Sequence, residues 1–240
     1  MLKAVIFDLD GVVADSHPIH EAAWKALLAE QGLDPAAINL DFLYAGQPRR
    51  EILRHFLGAL PDDEVQALGR RKDELYRRGA ENLAPKPGLL RVLDELAYAG
   101  IVMAVATSAG GERTVETLEH FGIAGRFSVV VTGNDVLVAK PAPDIFLLTA
   151  SRLGVAPNES VVVEDSVAGV VAARAAGMAC VGYAPPSRQA ELRDAGADDA
   201  ISEFPPHAEV YFRRVVESVS ASSTRAGAKI RAAAPPSKGA

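Results

Sequence analysis

Acidic, hydroxyl and amino side chains of this sequence follow the ends of short apolar runs or precede a helix-like segment. They are Asp8, Asp10, Thr107, Ser108, Lys140, Glu164 and Asp165. If the runs are parallel strands, their carboxyl ends share one edge of a sheet, and these side chains meet in one crevice. Carboxylates packed that closely repel one another unless a cation or a proton intervenes. Oxygen ligands without His or Cys suit Mg²⁺, so the sequence predicts a magnesium site that also takes a phosphate-bearing ligand.

The same set of side chains suits phosphoryl transfer. Once Mg²⁺ neutralises part of the phosphoryl charge, one carboxylate can attack phosphorus and form an aspartyl phosphate. A second carboxylate two positions further on can protonate the leaving oxygen and later take a proton from the next nucleophile. Thr107, Ser108 and Lys140 can hold the equatorial oxygens of the phosphoryl group as charge spreads over them.

The apolar runs are expected to be strands that position these residues. They are rich in Val or Ile, lack polar alternation, and cover residues 3–7, 102–107, 129–132, 160–164 and 179–183. Helix-like segments lie between the later runs, and a glycine follows each of them. This alternation predicts right-handed βαβ units. The expected fold class is therefore α/β, with a doubly wound, Rossmann-like parallel sheet.

One connection is much longer than the others and has helical periodicity. We predict that residues 16–82 form an inserted α-helical cap domain and that residues 1–15 and 83–217 form the α/β core domain. An insertion after the first strand stands above the ligand-binding edge of the sheet, where it can act as a lid. Residues 218–240 contain almost no large apolar side chain, so we expect this tail to be disordered.

The net charge and the cysteine count of the chain indicate which partners and which cellular compartment to expect. The chain has 240 residues, a formal net charge of −6 and one cysteine, Cys180. A chain with net negative charge lacks the basic footprint that general nucleic-acid binding needs. A lone cysteine forms no intramolecular disulfide, and we expect neither a signal peptide nor a membrane span. We expect a cytoplasmic monomer with no nucleic-acid or membrane partner.

The order of the motifs resembles the haloacid dehalogenase superfamily, and within it the branch of β-phosphoglucomutases and small sugar-phosphate phosphatases. The matching motifs are Asp8-Leu9-Asp10-Gly11-Val12-Val13, Ala106-Thr107-Ser108, Lys140-Pro141 and Glu164-Asp165-Ser166. The resemblance implies that Asp8 is the nucleophile and Asp10 the general acid and base. It also implies that Asp8, Asp165 and the main-chain carbonyl of Asp10 bind Mg²⁺, with Glu164 acting through water. True dehalogenases need neither the metal nor the second aspartate, so Asp10 argues against that activity.

The predicted cap also resembles that of the branch. In the mutases, residues that match His20, Trp24, Gly46 and Arg49 lie over the substrate, and the arginine grips its distal phosphate. The resemblance places Arg78 where the mutases carry a cap lysine.

The choice between hydrolysis and mutase activity depends on the segment after Ser108. It reads Ala109-Gly110-Gly111, where the mutases have a serine, a lysine and an asparagine that hold phosphate. A bisphosphate intermediate must be held at both of its phosphates, whereas hydrolysis needs fewer contacts to phosphate. We therefore predict a Mg²⁺-dependent phosphatase for a small sugar or polyol phosphate, with β-phosphoglucomutase as the alternative.

Two classes of protein without this enzymatic activity fit the sequence less well. A signalling receiver shares the acidic pair but is far shorter and lacks a cap. A catalytically silent sugar-phosphate-binding protein has no need of every motif residue.

Overall fold

The computed structural model describes residues 1–40 and 49–233, and its centre is a parallel sheet. The strands are β1 (Ala4–Phe7), β2 (Val102–Ala106), β3 (Val129–Val131), β4 (Ser160–Glu164), β5 (Ala179–Tyr183) and β6 (Asp199–Ile201). They lie in the order β3-β2-β1-β4-β5-β6, and each neighbouring pair is parallel. This is the order of a doubly wound sheet, so the predicted fold class is confirmed.

Helices connect the strands and cover both faces of the sheet. They are α1 (His17–Glu30), α2 (Arg49–Leu57), α3 (Asp62–Gly79), α4 (Leu89–Tyr98), α5 (Gly111–His120), α6 (Asp144–Leu153), α7 (Val167–Ala175), α8 (Pro186–Asp194) and α9 (Ala208–Ala233). Among the described residues, no helix is both long enough and apolar enough to cross a membrane.

Burial on both faces explains the continuous apolar sequences of the inner strands. Successive side chains of a strand point to opposite faces, so Phe7 and Ile6 belong to different cores. Phe7 packs in a cluster that includes Phe212 of α9, whereas Ile6 packs in a cluster that includes Phe146 of α6. The sheet is thereby fixed between two layers of helices, with its carboxyl edge open.

The helical segment between β1 and α4 has a hydrophobic cluster of its own. Its buried members are Trp24, Leu27, Leu28, Leu40, Ile52, Leu53 and Leu68. These side chains come from α1, α2, α3 and the chain before residue 41. The helical periodicity of the sequence over residues 16–82 corresponds to these three helices.

The two linkers of this helical segment lie side by side. Ala14 on the outgoing linker and Pro85 on the returning one form an antiparallel bridge. The backbone N–H of Asp15 donates to the carbonyl of Ala84 at 2.9 Å. Lys86 Nζ also donates to Asp15 Oδ1 at 2.7 Å. The segment is thus joined to the α/β part through a paired connection.

The carboxyl-terminal residues differ from the sequence-based expectation. The structure continues α9 through residues 218–233, whereas the sequence predicts disorder over 218–240, and residues 234–240 lie outside the described part. The expectation considered only how little apolar surface the tail can bury. A helix already anchored by Phe212, Val215 and Val216 propagates at low cost through residues such as Ala, Arg and Lys, which favour helix.

Candidate active site

The strand-end residues converge because β1 lies between β2 and β4. The backbone N–H of Asp8 donates to the carbonyl of Val163 in β4, and that of Thr107 donates to the carbonyl of Val131 in β3, both at 3.0 Å. Asp8 and Thr107 therefore stand one residue beyond their strands. Glu164 ends β4 beside them.

Lys140 is buried between two carboxylates. Its Nζ donates to Oδ1 of Asp8 and to Oε1 of Glu164, each at 2.6 Å, and to the carbonyl of Ala106 at 3.1 Å. The side chains of Lys140, Asp8 and Glu164 are only 6%, 10% and 1% exposed. Burial lowers the pKa of Lys140, but the two carboxylates outweigh burial and raise that pKa above its usual value. Lys140 is therefore a permanent cation at the floor of the site.

The start of α7 fixes the orientation of Glu164. Ser166 donates to Glu164 Oε2 through both its backbone N–H and its hydroxyl, at 2.9 Å each. The same hydroxyl caps α7 by accepting from the N–H of Gly169 at 3.0 Å. A Cβ atom at Gly169 would overlap the Glu164 carboxylate, so glycine is required there. These contacts turn the other oxygen of Glu164 toward Lys140.

Lys140 alone does not balance the negative charge around Asp8. Burial raises the pKa of Asp8 well above its usual value, Glu164 and Asp165 raise it further, and Lys140 lowers it. An ionised Asp8 therefore needs another positive charge beside it. Oxygen donors from Asp8, Asp165 and the carbonyl of Asp10 fit the preference of Mg²⁺. Within residues 1–40 and 49–233, no three His, Cys, Asp or Glu side chains form a ready metal cluster, so such a site also needs main-chain and water oxygens.

Asp165 is held by His17, which sequence reasoning did not single out. His17 Nε2 lies 2.6 Å from Asp165 Oδ2. Burial lowers the pKa of His17, but the hydrogen bond and charge of Asp165 outweigh it and raise that pKa. Gly11, in the turn after Asp10, has φ +76°, and a Cβ atom there would overlap both members of the pair. Gly11 thus supplies both the left-handed turn and the space for this contact.

Both carboxylate oxygens of Asp10 are occupied. Arg113 donates from Nη1 to Oδ1 at 2.9 Å and from Nη2 to Oδ2 at 2.6 Å, and His20 Nε2 lies 3.3 Å from Oδ1. Burial raises the pKa of Asp10, but the charges and hydrogen bonds of Arg113 and His20 outweigh burial and hold that pKa well below its usual value. Asp10 is a carboxylate in this arrangement.

A lysine and a tyrosine of α3 fix His20. Lys72 Nζ lies 2.7 Å from His20 Nδ1, and because an ammonium can only donate, His20 donates to Asp10 through Nε2. The His20 ring stacks on Tyr76 with the centroids 4.4 Å apart. Burial, with a contribution from the nearby charge of Arg113, lowers the pKa of Lys72 to about 8.

The hydroxyl residues after β2 lie next to these charges. Thr107 is buried, and its Oγ1 accepts from the N–H of Ala109 at 3.1 Å. Ser108 is exposed and lines the cavity above Asp8. Thr107 lines the same cavity.

Two adjoining cavities open between the sheet edge and the helical segment. The first, of about 280 Å³, is lined by Asp8, Asp10, Thr107, Ser108, Lys140, Glu164 and Asp165 from the α/β part, and by residues of α1, α2 and α3. The second, of about 570 Å³, is reached past Asp10 and contains Arg113. The shared lining of the two cavities consists of Asp10, Arg49, Lys72, Ser108 and Lys140. A ligand above Asp8 can therefore extend into the second cavity.

The structure thus brings all the strand-end residues together, and it brings three of the four cap residues to the same cavity. His20, Trp24 and Arg49 line the first cavity, although Trp24 is also part of the hydrophobic cluster of the helical segment. Arg49 is paired with Asp73 at 2.7 Å. Gly46 lies outside the described residues.

The position that the resemblance gives to the cap lysine of the mutases, Arg78, stays a prediction. Arg78 is exposed and lines neither cavity, whereas Lys72 of the same helix is buried and lines both. Lys72 and Tyr76 are four residues apart and share a face of α3, which is a signal that the sequence does contain. Arg113 has no such signal, because its distance from Asp10 along the chain is large.

Comparison with known proteins agrees with this arrangement. The sequence profile of the family described as "Haloacid dehalogenase-like hydrolase" matches residues 5–183. The chain is 36% identical to hexitol phosphatase A of Escherichia coli (80% of this chain and 88% of that protein) and 35% identical to β-phosphoglucomutase of Bacillus subtilis (75% and 83%). The crystal structure of β-phosphoglucomutase from Clostridium difficile superposes with a TM-score of 0.76 at 25% identity, covering 93% of this chain and 100% of that one. The chain therefore belongs to the haloacid dehalogenase-like hydrolases, in the branch that contains the β-phosphoglucomutases.

Proposed function

We propose that this protein hydrolyses phosphate monoesters of small sugars or polyols with the help of Mg²⁺, through an aspartyl phosphate on Asp8. One observation carries the proposal: Asp8 lies at the floor of the 280 Å³ cavity, paired with Lys140 and beside Glu164 and Asp165. The relatives named hexitol phosphatase and β-phosphoglucomutase support a phosphorylated carbohydrate as the substrate.

The covalent steps use the two aspartates in turn. Asp8 attacks phosphorus, and the bond from phosphorus to the alcohol oxygen breaks as Asp10 gives that oxygen a proton, which Asp10 takes up from solvent after it has left its contact with Arg113. Water then attacks the phosphorus of the aspartyl phosphate, Asp10 takes a proton from the water, and the Asp8 carboxylate is released with free phosphate. Lys140, Thr107 and Ser108 donate to the phosphoryl oxygens as charge develops on them.

The metal site in this proposal is built from oxygens. We assign Asp8, Asp165 and the carbonyl of Asp10 to Mg²⁺, with Glu164 acting through water. Bound Mg²⁺ neutralises part of the phosphoryl charge. His17 orients Asp165 through its contact at 2.6 Å, as partners of metal ligands commonly do.

The helical segment, residues 16–82, acts as the cap. It brings His20, Trp24 and Arg49 to the cavity above Asp8, and Gly46 stays a prediction. Its closure over the sheet edge excludes water until the alcohol has left. Lys72 holds His20 against Asp10, so the cap also positions the general acid and base.

A screen of phosphorylated metabolites tests the proposal. The purified chain is incubated with Mg²⁺ and each compound, and released phosphate is measured beside Asp8→Asn, which keeps the shape of the side chain but lacks the nucleophilic carboxylate. We expect phosphate release from at least one sugar or polyol phosphate and none from the variant. Equal release by the variant would overturn the covalent route.

The mutase alternative is tested with β-glucose 1-phosphate and a trace of the bisphosphate. Rapid formation of glucose 6-phosphate with little free phosphate would replace hydrolysis by phosphomutase activity. We expect free phosphate instead, because Ala109, Gly110 and Gly111 lack the side chains with which the mutases hold phosphate in this segment.

A further inference from the structure

Arg49 is held against α3 by two residues that lie about one turn apart on that helix. Its Nη2 donates to Oδ1 and Oδ2 of Asp73 at 2.7 and 2.9 Å. A Cβ atom at Gly69 would overlap Nη1 and Cδ of Arg49, so glycine leaves the room that this position of the arginine needs. Residues four apart share a face of a helix, and Gly69 and Asp73 therefore form one contact surface for Arg49.

The contact between Arg49 and Asp73 lies entirely within the helical segment. Arg49 begins α2, and Asp73 belongs to α3. Both helices contribute to the hydrophobic cluster of the segment, through Ile52, Leu53 and Leu68. Helices that share a closely packed core move together. Asp73 therefore stays beside Arg49 whatever position the segment takes above the sheet, and closure of the cap does not separate the two side chains.

Asp73 brings a negative charge to the path of the leaving alcohol. Arg49 lines both cavities and Asp73 lines the second, so an alcohol that extends from Asp8 into the second cavity passes this pair. Burial lowers the pKa of Lys72 to about 8, and the charge of Asp73 counteracts part of that shift. Asp73 thus offsets the charge of two cations that face the alcohol.

Arg113, which lines the same cavity, also has a carboxylate partner. It donates to both oxygens of Asp10, at 2.9 and 2.6 Å. A second anionic group on the alcohol would compete with the two carboxylates for the two arginines, and both carboxylates would repel it. A hydroxyl group avoids this conflict, because it can donate to a carboxylate and accept from a guanidinium. The pair of Arg49 and Asp73 therefore suits an alcohol that carries hydroxyl groups and no charge.

We propose that Asp73 is a specificity-determining residue, which neutralises Arg49 and thereby selects phosphate monoesters whose alcohol carries no second anionic group. This inference rests on the proposed hydrolysis and narrows its substrate class to the phosphates of uncharged sugars and polyols. Sugar bisphosphates and phosphorylated sugar acids are then poor substrates. The same pair disfavours the mutase reaction, because the intermediate of that reaction is a bisphosphate.

Substrate pairs that differ in one anionic group test the selection on the unaltered protein with Mg²⁺. Each substrate found by the screen is compared with an analogue that carries a second anion. Sorbitol 6-phosphate is compared with 6-phosphogluconate, for example, and fructose 1-phosphate with fructose 1,6-bisphosphate. Released phosphate gives kcat/KM for each compound. We expect kcat/KM of the member with the uncharged alcohol to be higher by about 10-fold or more, because a carboxylate repels a like charge placed beside it.

Variants of Asp73 separate selection from a structural role, because a ratio of two substrates on one preparation does not depend on how much protein is folded. Asp73→Asn should reduce the uncharged-to-anionic ratio of kcat/KM by about 3- to 10-fold, mainly through KM of the anionic member. Asp73→Glu, which keeps the charge, should retain most of the ratio. Asp73→Ser replaces the amide variant if that variant does not fold. Glu74→Gln is the matched control, since Glu74 is exposed and pairs with Arg71 at 2.9 Å, and it should leave the ratio unchanged.

The outcomes distinguish this inference from the proposed function. If the screen yields no substrate at all, the proposed function fails. If the unaltered protein hydrolyses the anionic members as well as their uncharged partners or better, the function stands and the selection is wrong. A ratio in Asp73→Asn equal to that of the unaltered protein overturns the role of Asp73. An undiminished change of the ratio in the double variant Arg49→Gln/Asp73→Asn also overturns it, because Asp73 would then act without Arg49.

Discussion

Replacing Lys140 by methionine should destabilise the protein in a way that depends on pH. Methionine keeps most of the buried stem but removes the ammonium group, which lies 2.6 Å from both Asp8 and Glu164 and 4.8 Å from the centre of the Phe146 ring. Two carboxylates that are 10% and 1% exposed then lose their shared cation. Removing one partner of a buried ion pair costs about 3–5 kcal/mol, and we expect a loss in that range near pH ~8.

The sign of the pH dependence follows from Asp8. Burial already raises its pKa in the folded state, and Lys140 is the group that lowers it, so the variant raises that pKa further. A carboxyl group with a folded pKa above its unfolded pKa of about 3.9 binds protons more tightly when folded. The cost of Lys140→Met should therefore be smallest below about pH 4 and should increase as pH rises toward the folded pKa.

Urea denaturation followed by circular dichroism from about pH 4 to pH 8 measures this effect. Lys3→Met is the matched control, because Lys3 pairs with Glu159 at 2.7 Å on the surface with its side chain 57% exposed, and exposed pairs contribute little. A penalty for Lys140→Met that is the same at every pH, or no larger than that of the control, would refute the assignment of Lys140 as the buried counter-charge.

Three other outcomes follow from the site. Asp10→Asn should accumulate phosphorylated enzyme from a substrate with a good leaving group, detected by intact mass; unchanged release of phosphate would exclude Asp10 as the base. Mg²⁺ at 100 times its Kd should stabilise the metal-free protein by about 2.7 kcal/mol, and Asp165→Asn should abolish the rise in Tm. Gly169→Ala should cost about 1–3 kcal/mol and most of the activity because its Cβ overlaps Glu164, whereas Gly125→Ala, with no atom near, should be tolerated; equal effects would contradict the packing.

The central strands could be predicted from the sequence because each is buried on both faces and reads as a continuous apolar run. β6 could not, since Asp199–Ile201 is three residues long and begins with an aspartate. The end of α9 differs from the sequence-based expectation for a different reason. Composition reports how much surface a segment can bury, but it does not report that the segment extends a helix that is already anchored.

The strand-end half of the site could be predicted for a topological reason. Asp8 and Thr107 directly follow buried parallel strands and Glu164 ends one. The sheet therefore brings the three side chains together regardless of the conformation of the loops. Arg113 reaches Asp10, and Lys72 reaches His20 beside it, only through the way α3 and α5 pack over the sheet edge. No spacing along the chain encodes that packing, and the second cavity was invisible to sequence reasoning for the same reason.

The bridge between Ala14 and Pro85 has a consequence for how substrate preference can vary among such proteins. The outgoing and returning chains meet at this bridge, so the two ends of the helical segment lie as close together as the two ends of a hairpin turn. Substitutions or length changes within the helices above leave the strand register undisturbed. The helical segment above the cavity can then vary in sequence, while Asp8, Asp10 and Lys140 keep their positions at the edge of the sheet.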